Sequence, residues 1–128
     1  MKKLFLITII LLLQSFPSFG EWKKLHSNKE GVYFIEVDTI RKNGDLIYFN
    51  DLEDYYEPQS MGGSSLSKIN RMVMNCKTKK SKGLRSTYYF DSMGKGKITK
   101  EFGKSYMMNW STFEIGSVNG SFYKFLCK

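Results

Sequence analysis

Apolar and polar residues alternate along much of the chain, and the clearest case is the run Lys68–Cys76. In that run Met72, Met74 and Cys76 fall on one face, while Val73 is the apolar exception on the other. Side chains that alternate with a period of two point to opposite faces of a β-strand. The same period recurs in two earlier segments, at Tyr33, Ile35 and Val37 and at Ile47 and Phe49. These residues predict one buried sheet face, with Cys76 pointing toward it.

Short turn-forming segments separate the predicted strands, which favours antiparallel neighbours. Asn43-Gly44-Asp45 is predicted to be a hairpin turn, because Asn-Gly readily adopts positive φ angles. Asp54–Ser65 is expected to be a loop, since proline, glycine and serine punctuate it. We expect one face of a later strand to carry Leu84, Ser86, Tyr88 and Phe90. The predicted strands are Glu21–His26, Gly31–Val37, Leu46–Leu52, Lys68–Cys76, Leu84–Asp91 and Lys97–Phe102.

The pattern changes to a helical period near the end of the chain. Val118, Phe122, Phe125 and Leu126 recur at helical spacing, and Ser117 stands where a helix N-cap is expected. Gly120 opposes a helix by about 1 kcal/mol relative to alanine. We predict a short C-terminal helix whose apolar face packs on the sheet.

The first twenty residues are typical of a secretory signal. Lys2 and Lys3 precede an apolar run, Leu4–Leu13, and Gly20 suits cleavage before Glu21. That run is about half the length needed to span a bilayer. We therefore expect a signal peptide at residues 1–20, a single domain at residues 21–128 and no transmembrane segment after cleavage. No cysteine follows the apolar run, so we expect no lipid anchor.

Two cysteines, Cys76 and Cys127, are all that the sequence contains. In an exported chain such a pair favours a disulfide over a metal site or a redox dithiol. The bond would tie the middle of the chain to its end and would stabilise the fold by about 4 kcal/mol in the chain-entropy model.

Basic residues exceed acidic ones, which favours anionic partners. Without Lys2 and Lys3, 18 of the 20 basic residues remain against 12 acidic ones, a net charge near +6. Five of these charges fall within nine residues of one predicted strand connection. This basic connection is either a patch for sulfated sugars or anionic lipid headgroups, or a solubilising hairpin tip. It consists of Lys77, Lys79, Lys80, Lys82 and Arg85.

Other candidate residues point to binding and not to catalysis. Tyr55 and Tyr56 form a doublet of which one member must face outward, either as a contact surface or in packing. The carboxylates of Asp51–Glu57 match no calcium-loop spacing. His26 is the only histidine, and no nucleophile is predicted beside it. We therefore expect no enzymatic activity, no metal site and no cofactor.

One ordered set of short signals runs through nearly the whole of residues 21–128. It consists of Trp22, Tyr33–Asp38, Ile40-Arg41, Leu52–Tyr55, Pro58-Gln59, Ser67, Asn75–Lys77, Tyr88-Tyr89, Met93–Gly96, Trp110, Ile115–Ser117 and Leu126-Cys127. In order and spacing this set resembles the surface-adhesin protein E family of exported bacterial proteins. The resemblance implies a single antiparallel sheet of about six strands, an α+β fold with a C-terminal helix and a Cys76–Cys127 disulfide.

The resemblance also implies a binding function in adhesion to host matrix or other extracytoplasmic partners. We expect the partner to be a protein or a polyanion outside the cytoplasm, and not a nucleic acid. Because the chain lacks the lipidation cysteine of the founding member, we expect it to be periplasmic or secreted. The alternative is a periplasmic inhibitor or an accessory or structural envelope protein, for instance one that uses the acidic segment Asp51–Glu57 against a basic hydrolase.

Overall fold

The computed structural model describes residues 21–60, 63–103 and 109–128. The predicted signal peptide lies outside these residues. The described strands are β1 (Trp22–Ser27), β2 (Gly31–Glu36), β3 (Arg41–Asn43), β4 (Leu46–Gln59), β5 (Ser65–Asn75), β6 (Lys80–Tyr89), β7 (Ile98–Phe102) and β8 (Ser111–Thr112). Two 3-10 turns cover Val37–Thr39 and Ser92–Gly94, and one helix, α1, covers Val118–Leu126.

All strands belong to one antiparallel sheet, in the order β1-β2-β4-β5-β6-β7. The predicted α+β fold, an antiparallel sheet with a C-terminal helix, is confirmed. The predicted count of about six strands is too low, because the described residues form an 8-stranded sheet in which β3 pairs with β4 and β8 with β6. These two strands have three and two residues. Alternation needs roughly four residues to be recognised, so the sequence pattern could not reveal them.

The predicted loop at Asp54–Ser65 is wrong over its first half, because β4 continues to Gln59. Asp54 pairs with Val32 of β2 and with Ser67 of β5, and the register then shifts before Gln59. Such an irregularity accommodates Pro58, which has no N–H to donate to a neighbouring strand. Pro58 therefore marks an irregular part of β4 and not the end of that strand.

One side of the sheet, the inner face, packs against α1 as predicted. The rings of Phe49 and Phe122 lie 5.5 Å apart between centroids, and both side chains are fully buried. Burying a side chain of this size stabilises a fold by about 1.5–3 kcal/mol. The inner face is formed by Tyr33, Ile35, Ile47, Phe49, Met72 and Met74, which pack with Phe122 and Leu126 of the helix.

Helix α1 begins as the sequence predicts. Ser117 is its N-cap, and its Oγ accepts a hydrogen bond of 3.0 Å from the Gly120 N–H. A Cβ at Gly120 would collide with the carbonyl oxygen of Glu114, so the glycine lets the preceding turn pack closely against the first turn of the helix. Within the described ranges no helix has the length and apolarity that a membrane crossing requires.

The opposite side, the outer face, has a smaller apolar cluster at one end. Leu52 is fully buried there, and a Cβ on Gly94 would lie 2.8 Å from Ile69 Cδ1. The 3-10 turn Ser92–Gly94 thus closes over these residues, and its Gly94 N–H donates to Ser67 Oγ at 2.9 Å. This turn covers the end of the outer face that lies away from β3.

Candidate binding surface

The disulfide joins the turn after β5 to the end of α1. Cys76 and Cys127 are bonded, with their Cα atoms 5.5 Å apart, and both pack against the inner-face core. The predicted pairing is therefore confirmed. The Cys76 N–H also donates to the Asp45 carbonyl, so this end of the sheet is fixed by a covalent bond and a backbone hydrogen bond.

The basic connection is shorter than the sequence suggests. Only residues 76–79 form a turn, since β6 already begins at Lys80. The side-chain oxygen of Asn75 accepts from the N–H groups of Lys77 and Thr78, which holds the turn tight. Lys77 and Lys79 therefore lie on an exposed turn, whereas the remaining basic residues of the connection lie on a strand.

Strand register places Lys80, Lys82 and Arg85 on the outer face. Lys82 pairs with Val73, and Arg85 pairs with Arg71, both on the outward side of β5. Lys82 Nζ lies 4.9 Å from the centroid of the Trp110 ring, a cation–π distance. The ring is partly exposed, so an aromatic surface adjoins these charges.

Two further arginines, which are not part of the predicted basic connection, share this surface. Arg71 pairs across the sheet with Arg85, and Arg41 of β3 pairs with Tyr48 of β4, which is also outward. Burial and then the charges of Arg41 and Arg85 lower the pKa of Arg71. We call Arg41, Arg71, Lys80, Lys82 and Arg85 the cationic face.

The cationic face has no carboxylate bound to it within the part of the chain that the structure describes. There the one ion pair joins Lys68 to Glu53, on the other side of the sheet. The charge of Glu36 acts on Arg71 and opposes the lowering of its pKa. The hydrogen bond that Glu36 Oε1 accepts comes from the Asn50 side chain, at 3.1 Å. Positive charge is therefore concentrated on the outer face, where Glu36 acts on Arg71 electrostatically but forms no ion pair with it in the described residues.

The tyrosine doublet lies far from these charges. Tyr55 and Tyr56 are in the distal part of β4, beyond the segment that pairs with β3. The Tyr55 hydroxyl donates to Glu53 Oε1 at 3.3 Å, and burial, then Glu53, raises the pKa of Tyr55. Tyr56 is 61% exposed. The structure thus leaves Tyr56 at the surface but does not bring the doublet together with the basic connection.

The acidic segment Asp51–Glu57 is divided between the two faces of the sheet. Asp51 and Glu53 point inward, continuing the alternation of Ile47 and Phe49. Asp54 points outward and accepts a hydrogen bond of 2.9 Å from the Met93 N–H. The segment therefore presents its carboxylates on both faces of the sheet and not as one continuous acidic surface.

A buried polar cluster lies beneath the first turn of α1. The side-chain amide of Asn70 donates to Asp51 at 2.7 Å and to Glu53 at 2.6 Å, and Lys68 forms its ion pair with Glu53 at 3.1 Å. Burial, followed by the charge of Glu53, raises the pKa of Asp51 to about 8. A cavity of about 270 Å³ adjoins the cluster.

The single histidine of the chain has a hydrogen-bonding partner in the helix. His26 Nδ1 lies 2.9 Å from Ser121 Oγ, so the histidine joins β1 to the helix as a structural residue. In the described residues no three His, Cys, Asp or Glu side chains are grouped to hold a metal ion.

The comparison with known proteins identifies the family. The model of the family surface-adhesin protein E matches residues 22–128. The chain belongs to the surface-adhesin protein E family. A search of curated proteins gave no match.

Solved structures of protein E from Haemophilus influenzae have the same fold. Its crystal form II has a TM-score of 0.65 and 12% sequence identity, covering 87% of this chain and 90% of that one. A structure from the non-typeable bacterium has a TM-score of 0.60 and 13% identity, covering 88% of this chain and 78% of that one. At this identity the likeness to protein E shows the fold alone. The binding residues of this family member have to be inferred from its own surface.

Proposed function

We propose that this surface-adhesin protein E family member is an exported, non-enzymatic protein that binds an anionic partner outside the cytoplasm through its cationic face. The observation that carries the proposal is the grouping of five cations from β3, β5 and β6 on one side of the sheet. Family membership supports an extracytoplasmic binding role. The partner is either a polyanion or a protein with an acidic surface, met in the periplasm, in the medium or on host matrix.

The position of the cations supports recognition better than solubility alone. A solubilising surface needs dispersed charges, and lysines are present elsewhere on the protein, for example at Lys95, Lys97 and Lys100. On the cationic face, by contrast, like charges stand directly opposite each other on paired strands, which destabilises a sheet. An anionic partner would relieve that repulsion when it binds.

Heparin affinity chromatography of the purified exported protein tests the proposal. Binding of this kind weakens steeply as salt is added, because counterions are released and charges are screened. Replacing Lys79, Lys80 and Lys82 with glutamine removes three of the charges, so it should abolish retention at moderate salt. The control replaces Lys95, Lys97 and Lys100 with glutamine, which removes the same charge from another turn and strand. Equal losses in the two variants would show that net charge alone causes retention, and the proposal would fail.

Immobilised matrix proteins provide the second test. We expect those that the exported protein binds to be released by soluble heparin, since both ligands would occupy the cationic face. Retention on a matrix protein that heparin does not reduce would place the binding surface elsewhere on the molecule.

A further inference from the structure

All the arginines of this chain lie near one another on the outer face of the sheet. The sequence contains three, Arg41, Arg71 and Arg85, and all the other basic residues apart from His26 are lysines. Three different strands carry the arginines, yet Arg41 and Arg85 both act electrostatically on Arg71. Lysine supplies charge as a point, whereas arginine presents a planar fork that matches phosphate and sulfate oxygens. The lysines are spread over the protein and supply general positive charge. The three arginines are grouped on the outer face, where they can bind an anion in a defined geometry.

A β-bulge shapes the surface between two of these arginines. Arg71 pairs with Arg85, whereas its neighbour Met72 pairs with Gly83, so Leu84 is the extra residue in β6. A bulge puts two successive residues opposite one, which turns Leu84 toward the outer face together with Arg85. The prediction that Leu84 shares a face with Ser86 and Tyr88 is wrong for this reason.

The result is an open groove of about 460 Å³ lined by Tyr48, Arg71, Leu84 and Arg85. That volume lies in the range of roughly 300–1,000 Å³ typical of small-molecule sites. Two walls of the groove are cationic and two are apolar. This combination fits a ligand that carries charge on one side and C–H groups on the other.

Two hydrogen bonds fix the position of the Arg71 guanidinium group. Its Nη1 donates to Asn50 Oδ1 at 3.1 Å and to the Thr39 carbonyl at 3.4 Å. Within the described residues these are its hydrogen bonds, so Nη2 and Nε keep their donors for a ligand. Because the side chain is half-buried and faces Arg85, placing its charge there costs stability that an oxyanion would return.

We propose that this groove binds a sulfate or phosphate group carried on a sugar, and the proposal rests on the function proposed above. The three terminal oxygens of such a group can accept from Arg71 and Arg85 together, which a two-oxygen carboxylate does less completely. The apolar face of the sugar ring would pack on Tyr48 and Leu84. A sulfated glycan and a phosphorylated glycolipid headgroup share this chemistry.

Isothermal titration with short sugars tests the groove directly. The probes are a heparin hexasaccharide, the same hexasaccharide with its sulfates removed and its carboxylates kept, and a doubly phosphorylated glucosamine disaccharide. We expect binding of the sulfated or the phosphorylated probe, and the tighter of the two identifies the source of the anion. Binding of the desulfated probe as tightly as the sulfated one would overturn the proposal, as would failure of both charged probes.

Arginine-to-lysine variants separate the groove from the rest of the cationic face, because they keep the charge and remove the fork. We expect Arg71→Lys and Arg85→Lys each to weaken binding by roughly tenfold, the value of one charge-assisted hydrogen bond. Arg85 is exposed, so its variant should fold even if Arg71→Lys does not, and a melting curve checks both.

The two proposals can fail separately. If both lysine variants bind the hexasaccharide as the unmodified protein does while the Lys79, Lys80 and Lys82 triple variant does not, the groove is refuted and the cationic face survives. If neither the protein nor any variant binds a charged probe or heparin, both proposals fall.

Discussion

Replacing Asp51 with asparagine tests the buried polar cluster, because the change removes one ionisable group and keeps the size of the side chain. Burial and Glu53 raise the pKa of Asp51 to about 8 in the folded protein. In the unfolded chain an aspartate has a pKa of about 3.9. The folded state therefore binds more protons at Asp51 between these values, so the contribution of Asp51 to stability is fully present below about pH 4 and is lost as the pH rises through about 8.

The expected size of the effect follows from that difference in pKa. Between pH 5 and pH 9 the free energy of unfolding should fall by up to about 4 kcal/mol through Asp51 alone, at about 1.4 kcal/mol per pH unit below the folded pKa. The charged or titratable groups that line the cavity with Asp51 are Glu53, Lys68 and Tyr33. Burial lowers the pKa of Lys68, but the charge of Glu53 outweighs burial and the pKa is raised. Burial raises the pKa of Tyr33. Neither group therefore changes charge between pH 5 and pH 9.

Urea unfolding followed by circular dichroism at pH 5, 7 and 9 measures this dependence. The Asp51→Asn variant should equal the unmodified protein at pH 5 within about 1 kcal/mol and exceed it at pH 9 by about 2 kcal/mol or more. Glu57→Gln is the matched control, since Glu57 is an exposed carboxylate of the same strand, and it should leave the pH dependence unchanged. A difference between Asp51→Asn and the unmodified protein that is the same at pH 5 and pH 9 would show that Asp51 is already ionised at pH 5.

Two further predictions concern the core and the disulfide. Phe122→Ala should lower the free energy of unfolding by about 3–5 kcal/mol, whereas Lys124→Ala on the exposed side of α1 should cost less than about 0.5 kcal/mol, and equal small losses in denaturant unfolding would contradict the packing described. Protein purified under oxidising conditions should show no free thiol on titration, and Cys76→Ala should lower the melting temperature by roughly 10 °C or more, given a loss of about 2–5 kcal/mol in a domain of this size.

Local periodicity predicted the helix and most of the inner face, although Val37, which was expected on that face, lies in a 3-10 turn and is 37% exposed. Met72 and Met74 in β5 and Phe122 in α1 are buried where their spacing predicts, because each position depends only on the repeat of its own element. The disulfide was predicted on other grounds, from two cysteines in an exported chain, and periodicity added only that Cys76 points toward the buried face.

The grouping of the three arginines on the cationic face could not be predicted in this way. Arg41, Arg71 and Arg85 come together through the pairing of β3 with β4 and of β5 with β6, and the register of those pairs includes a bulge that no single segment reveals. The buried polar cluster, in contrast, could have been predicted from the alternation in the sequence. Asp51 and Glu53 continue the inward alternation of Phe49, and that period, followed past the last apolar residue, places both carboxylates inside.

The bond between Cys76 and Cys127 also has a consequence for the lifetime of the protein among extracytoplasmic proteases. A single peptide-bond cleavage between Cys76 and the start of α1 at Val118 leaves both pieces joined by the disulfide. The C-terminal piece carries α1, whose Phe122 side chain fills the inner face, so it is retained at high effective concentration beside the rest of the sheet. A nicked molecule can therefore keep its core packed, and it would be detected as two fragments only after reduction.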